Sequence, residues 1–148
     1  MMPDRYDALR LRNQLCFPLY LCAKELTLRY QPLLDKLNLT YTQYVVMMCL
    51  WEMGEASAKA LSRTLLLDPS TLTPVLKKLE QKGYVDRSRD PGDERSLVVR
   101  LTETGTALRE AALEIPQKMG GCLGLSPEEG MALGGLLEKV LNNIERER

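Results

Sequence analysis

A chain of 148 residues, 45% hydrophobic and 27% charged, is sized and composed for one globular domain with a core of its own. No stretch approaches the roughly 18 uninterrupted apolar residues of a membrane span, and Met1-Met2-Pro3-Asp4-Arg5 leads into mixed polar sequence without an apolar leader, so no membrane partner and a cytoplasmic address are expected. The absence of histidine excludes Ser-His and Cys-His catalysis, and four cysteines at 16, 22, 49 and 122, with no C-x-x-C pair, argue against zinc, so neither metal nor cofactor is expected.

In chain order, Leu15, Leu19, Cys22 and Leu26, then Leu33, Leu34 and Leu37, recur at helical spacing. Pro18 is expected to kink this helix or mark its start near residue 17, and Pro32 to break it, leaving 33–38 as a separate turn. Thr40-Tyr41-Thr42-Gln43 is a T-x-x-Q capping box ahead of a helix through Met53, which Gly54 ends. Ser57 is placed to cap a short helix through Leu65. Asp68-Pro69-Ser70 opens another, with a capping side chain and a proline in the first turn, running through Leu72, Leu76 and Leu79 to Gly83. Pro74 falls one turn inside it.

After Gly83 the apolar period changes to two, in Val85–Arg89 and again in Leu97–Leu101, with Asp90-Pro91-Gly92-Asp93-Glu94 as the turn between. This predicts a β-hairpin directly after a helix. Thr102-Glu103 opens a helix to about Lys118, and Gly120, Gly121 and Gly124 are expected to loosen the chain around Cys122. Ser126-Pro127-Glu128-Glu129 is an S-x-x-E box before a last helix with Leu133, Leu136, Leu137, Val140, Leu141 and Ile144 on one stripe. The order predicts an α+β, mainly helical fold. It is a winged helix-turn-helix over 42–101, with helices at 9–38 and 103–146 forming a dimerisation region within a single domain, 1–148.

The net charge is zero, but it is unevenly distributed. Residues 57–100 carry nine Lys and Arg against six acids, and residues 101–148 carry five against eight. The basic excess falls on the helix-hairpin segment, where a surface facing double-stranded DNA is sought. In a helix-turn-helix the second helix enters the major groove by its N-terminal residues, here Ser70, Thr71 and Thr73, with Lys77 and Lys78 one turn on for phosphates. The hairpin adds Arg87, Arg89 and Arg95, expected to reach outward toward backbone or minor groove. The competing reading of these cations is a solvated face.

The run Leu72-Thr73-Pro74-Val75-Leu76-Lys77-Lys78-Leu79-Glu80, followed by Asp93-Glu94-Arg95-Ser96, resembles the MarR family of winged-helix regulators. That resemblance implies a wing signature at Asp93 and Arg95, the Asp pairing with a basic group to steady the wing and the Arg able to enter the minor groove. Asn13-Gln14-Leu15-Cys16-Phe17, Leu19-Tyr20 and Tyr30-Gln31-Pro32-Leu33-Leu34-Asp35-Lys36-Leu37 are similar to the organic hydroperoxide resistance regulators of that family, with Pro18 a departure. The likeness covers about residues 9–145. It implies a homodimeric repressor in which Cys16 is the peroxide-sensing thiol, supported by hydrogen bonds from Tyr30 and Tyr41 of the other subunit, with organic hydroperoxides as the signal. It also implies a resolving partner for the Cys16 sulfenic acid, with Cys122 in an intersubunit disulfide or a small thiol in that role. Cys49, in Val45-Val46-Met47-Met48-Cys49-Leu50-Trp51, reads as core, and Cys22 lies about 240° round the helix from Cys16. Two other functions fit parts of the pattern. A thiol peroxidase would share the cysteine chemistry, and a regulator binding a phenolic ligand would share the DNA reader.

Overall fold

A computed structural model describes residues 4–147. Met1, Met2, Pro3 and Arg148 lie outside them, and with them the start of the segment read as lacking a leader and both ends of the expected 1–148 domain. The chain divides into two compact units between Leu113 and Glu114.

The first unit opens with two 3-10 turns, Asp7–Leu9 and Leu11–Asn13, and then α1, Cys16–Asp35. Pro18 falls in the first turn of α1, where its missing N–H has no helical partner to lose. Pro32 does not break the helix as expected. It lies within α1, which continues to Asp35. A proline in the last turn forfeits one backbone bond, and burial of Leu34 just beyond it holds the helical path.

Helix α2, Tyr41–Met53, starts at the expected capping box. Thr40 Oγ1 accepts from the Gln43 N–H at 3.3 Å, and Gln43 Oε1 accepts from the Thr40 N–H at 3.1 Å. Gly54, at φ +79°, turns the chain out of α2 in a conformation that side chains resist. Helix α3, Ala58–Leu65, is capped by Ser57, whose hydroxyl accepts from the Ala60 N–H at 3.0 Å. Helix α4, Pro69–Gln81, has Pro69 in its first turn. Asp68 stands at its N-cap in extended backbone, but its side chain makes no capping bond, contrary to expectation.

The hairpin is β2, Val85–Asp90, and β3, Asp93–Leu101, antiparallel with Arg87 opposite Val99. A third strand, β1 (Glu55–Ser57), pairs with β3 on its other side, Ala56 opposite Val99, so the sheet order is β1-β3-β2. Sequence periodicity missed β1, because three residues are too few to alternate. Helix α5, Glu103–Ala112, follows a Thr102 cap. Its Gly105 packs so tightly on the chain after α4 that an added Cβ would lie 1.9 Å from the Tyr84 carbonyl oxygen.

The core of this unit is where α1 to α4 close on the sheet. Leu34, Val46, Met47, Leu50, Leu61, Leu72, Leu76, Leu79, Val85 and Val99 are all at most 2% exposed. Each such side chain contributes roughly 1.5–3 kcal/mol by leaving water, enough in sum to hold short helices that would not persist alone.

The second unit holds α6, Glu114–Leu123, and α7, Pro127–Arg146. The expected helix through Lys118 is divided at Leu113. Pro116 has no N–H for the Ala112 carbonyl, which accounts for the division. The glycine stretch is also not loose as expected. Gly120, Gly121 and Cys122 lie within α6, whose Ile115 and Met119 are buried one turn apart, and only Gly124, at φ +63°, leaves the helix. Helix α7 begins with the expected Ser126/Glu129 box and Pro127 in its first turn. No residue of α7 is buried, and Leu133, Leu136, Leu137, Val140, Leu141 and Ile144 are all exposed. Among the described residues no helix is long and apolar enough to cross a membrane.

Candidate functional site

On α4 the residues expected to meet DNA are exposed. Ser70, Thr71 and Thr73 lie in its first turns and Lys77 and Lys78 one turn on. The buried Leu72, Leu76 and Leu79 occupy the opposite stripe, so packing fixes which face points out. Thr73 donates its hydroxyl proton to the Pro69 carbonyl at 2.8 Å and retains only acceptor capacity for a base edge.

The wing treats its cations differently. Arg87 does not reach outward. Its side chain is 19% exposed, its Nη2 pairs with Glu80 Oε1 at 3.0 Å, and its backbone N–H donates to Glu80 Oε2 at 3.1 Å. The arginine bonds hold the Glu80 carboxyl below the usual glutamate range. Glu80 is on α4 and Arg87 on β2, so this pair fastens the wing to the recognition helix. Arg89 reaches along the hairpin and donates from Nη1 to the Glu94 carbonyl at 2.7 Å. Asp93 Oδ1 accepts from the Arg95 N–H at 3.0 Å, and Asp90 Oδ1 from the Gly92 N–H at 2.8 Å, so the two aspartates set the wing tip. Among the described residues Asp93 makes no ion pair with a basic group, contrary to expectation, because its carboxylate is turned onto the backbone of its own strand. The Arg95 side chain is exposed and has no ion pair among the described residues, as is also true of Lys77 and Lys78.

Cys16 is exposed and opens α1, at the end where backbone N–H groups lack helical partners. Leu15, 74% exposed, and Phe17 flank it with apolar surface. Within the same unit, Tyr30 of α1 and Tyr41 of α2 stand with ring centroids 4.9 Å apart. Tyr44, one turn beyond Tyr41, joins them at 5.9 Å from Tyr30 and 6.5 Å from Tyr41. Trp51 extends the cluster at 6.4 Å from Tyr44 and donates its indole N–H to the Gly105 carbonyl at 2.9 Å.

Burial, then the neighbouring Tyr41 phenol, pushes Tyr30 above the ordinary phenol value. Among the described residues neither the Tyr30 nor the Tyr41 hydroxyl bonds within the chain, so both remain open as donors to an incoming group. Sequence reading passed over Tyr44. Its i,i+3 spacing from Tyr41 was the available signal.

The other cysteines differ sharply. Cys49 is buried, with its thiol 3.5 Å from Met53 Sδ. Burial, then the Glu52 carboxylate, pushes that thiol up, which suits an inert core position. Cys22 is exposed on α1, and Cys122 is exposed in the last turn of α6.

The MarR family pattern matches residues 39–97, the span from just before the capping box of α2 into the last strand of the wing. The chain is also 44% identical over 144 residues to the organic hydroperoxide resistance transcriptional regulator of Bacillus subtilis (strain 168), spanning 97% of this chain and 96% of that one. The chain belongs to the MarR family. Among solved MarR-like folds it is similar to reduced AbfR bound to DNA, a Staphylococcus epidermidis protein, with 35% identity, a TM-score of 0.79, and 95% of this chain and 99% of that chain covered. A disulfide-formed AbfR structure is similar at 34% identity and a TM-score of 0.67, covering 93% and 96%. The α+β winged helix-turn-helix expected from periodicity, caps and turn residues is thus the fold of this MarR-family chain.

Proposed function

We propose that the chain is a homodimeric, redox-sensing transcriptional repressor that binds operator DNA when reduced and releases it when an organic hydroperoxide oxidises Cys16. One observation carries this reading. A single compact unit holds an exposed thiol, a pair of phenols with open hydroxyls, and a recognition helix whose outward cations are uncommitted. Its relatives point the same way, one named for hydroperoxide resistance and one solved on DNA in reduced form and also with a disulfide formed.

In the chemistry, the Cys16 thiolate attacks the outer peroxide oxygen. The O–O bond breaks, the alkoxide leaves and takes up a proton as the alcohol, and the sulfur is oxidised to the sulfenic acid. Tyr30 and Tyr41 of the partner subunit donate to the sulfur and favour its charged form without adding charge. The apolar flank of Leu15 and Phe17 favours an organic peroxide over a polar one. The sulfenic acid then condenses with the Cys122 thiol of the other subunit, forming the disulfide and releasing water.

The chain acts as a regulator and not an enzyme, since one oxidation event serves one switching event. It works in the cytoplasm, where DNA and reduced thiols are both present. Ser70, Thr71 and Thr73 read or position on the groove, Lys77, Lys78 and Arg95 neutralise phosphates or enter the minor groove, and Arg89 and Asp93 hold the wing for them. The segments 9–38 and 103–146 supply the dimerisation region.

A ligand-sensing reading has one observation in its favour. A cavity of about 410 Å³ is lined by α3, α4 and β3, with apolar Leu72, Leu76 and Leu97 and basic Lys59 and Arg63 among its residues, a lining suited to an aromatic acid.

Operator binding, with and without cumene hydroperoxide, for wild type and Cys16→Ser separates the two. Wild type is expected to lose affinity by about 100-fold on oxidation, with Cys16→Ser unaffected. Peroxide release that persists in Cys16→Ser would remove Cys16 as the sensor. Release of Cys16→Ser by an aromatic acid would establish the ligand reading.

A further inference from the structure

The tyrosine pair and the recognition helix are moored to the same short turn. Residues 36–40 join α1, which carries Tyr30, to α2, whose first residue is Tyr41. Lys82, immediately beyond α4, reaches back to this turn. Its Nζ donates to the Asn38 carbonyl at 2.6 Å and to Gln43 Oε1 at 2.7 Å. Two residues on, the Tyr84 hydroxyl donates to the Leu37 carbonyl at 3.0 Å. Asn38 sits at φ +53°, a left-handed conformation that Asn tolerates better than most residues. Gln43 is 3% exposed, and the oxygen that receives Lys82 is the one that receives the Thr40 N–H in the capping box of α2.

This arrangement does more than fill space. Lys82 has no carboxylate partner among the described residues, so its ammonium is held by two neutral oxygens, the Asn38 carbonyl of the α1–α2 turn and Gln43 Oε1 in the first turn of α2. Such bonds weaken steeply with misalignment, unlike a bare charge pair. Tyr41 lies in the first turn of α2 between Thr40 and Gln43, the two members of its capping box, so a shift of that turn carries Gln43, an acceptor of Lys82, with Tyr41. The Lys82 bonds then break or drag the end of α4.

We propose that Lys82, assisted by Tyr84, is a positioning residue of the redox switch that transmits displacement of the Tyr41 end of α2 to the C-terminal end of the recognition helix. The proposal rests on the redox-repressor reading above.

The test measures operator Kd for the reduced and the peroxide-oxidised forms of the full-length dimer and takes their ratio, together with the rate of Cys16 thiol loss. Lys82→Met keeps the aliphatic stem and removes both charge-assisted bonds. It is expected to bind operator in the reduced form within about threefold of wild type and to oxidise at the wild-type rate, while the ratio shrinks by about tenfold. Tyr84→Phe, which loses one neutral bond, is expected to shrink the ratio less. If Lys82 is purely structural, Lys82→Met raises both Kd values together and leaves the ratio intact, and that result overturns the proposal. If Lys82→Met fails to bind when reduced, Tyr84→Phe decides, and a wild-type ratio there overturns it. A wild-type ratio near one would instead bring down the redox reading itself, and this proposal with it.

Discussion

A phenol donates a hydrogen bond only while it keeps its proton, and burial favours the protonated form of Tyr30 and Tyr44. Both are raised above the ordinary value of 10.0, first by burial and then by the neighbouring phenols. A folded-state value above the unfolded one means that the stabilising difference is fully present below about pH 10 and is lost as pH rises through the folded values. Denaturant unfolding followed between about pH 9 and pH 11.5 should therefore show stability falling less steeply in Tyr30→Phe and Tyr44→Phe than in wild type. Identical slopes would show that neither phenol carries an alkaline penalty. Resemblance to a family points to Tyr30 and Tyr41 as site residues, and nothing in local periodicity does. Their 4.9 Å approach depends on two helices meeting, which no single-helix pattern encodes. Cys49 is the reverse case, since an apolar run on both sides announced its burial directly.

Between α4 and the wing, one arginine is structural and another is free. On the proposed DNA face, Arg95→Ala should reduce the slope of log K against log salt by about one, as should Lys77→Ala and Lys78→Ala, because each would remove one cation near the phosphates. Arg87→Ala should leave that slope nearly unchanged and lower the melting temperature instead, since its partner is Glu80 within the fold. If Arg87→Ala flattens the salt dependence as much as Arg95→Ala, the Glu80 pair opens on DNA. If none of the three exposed cations changes affinity, the DNA face lies elsewhere.

The same elements show what a sequence states locally. Capping boxes at Thr40 and Ser126, the cap at Ser57 and the existence of the hairpin turn are each encoded within a few positions, and each is legible. The turn expected over 90–94 nevertheless shrinks to Pro91-Gly92, because Asp90, Asp93 and Glu94 join the strands. β1 exists only because β3 pairs with it, and Arg87 turns inward only because Glu80 lies across from β2, so neither was legible. Pro32 and the pair Gly120-Gly121 are unfavourable in helices by propensity alone, and burial of Leu34, Ile115 and Met119 beside them overrides it.

Taken as a whole, the chain leaves apolar surface that its own fold does not cover. Leu15 is exposed, and the stripe from Leu133 to Ile144 on α7 is open along its length. A second copy of the chain is the occupant that the functional reading requires, since two recognition helices must stand about 34–36 Å apart to enter successive major grooves. Peroxide treatment should then convert wild type into a reducible covalent dimer, seen on non-reducing gels. Cys16→Ser and Cys122→Ser should give none, while Cys22→Ser and Cys49→Ser should still form it. Peptide mapping that finds Cys16 joined to Cys22, or Cys122 left as a thiol, would assign the resolving role to another group and leave Cys16 as the sensor. The uncovered stripe has a further consequence for supply. Where chains are scarce relative to the dimer dissociation constant, the paired population grows with the square of their number, so halving synthesis cuts operator-competent molecules about fourfold. Repression would then collapse over a narrow range of expression, and a cell could relieve it by slowing translation of the repressor as readily as by oxidising it.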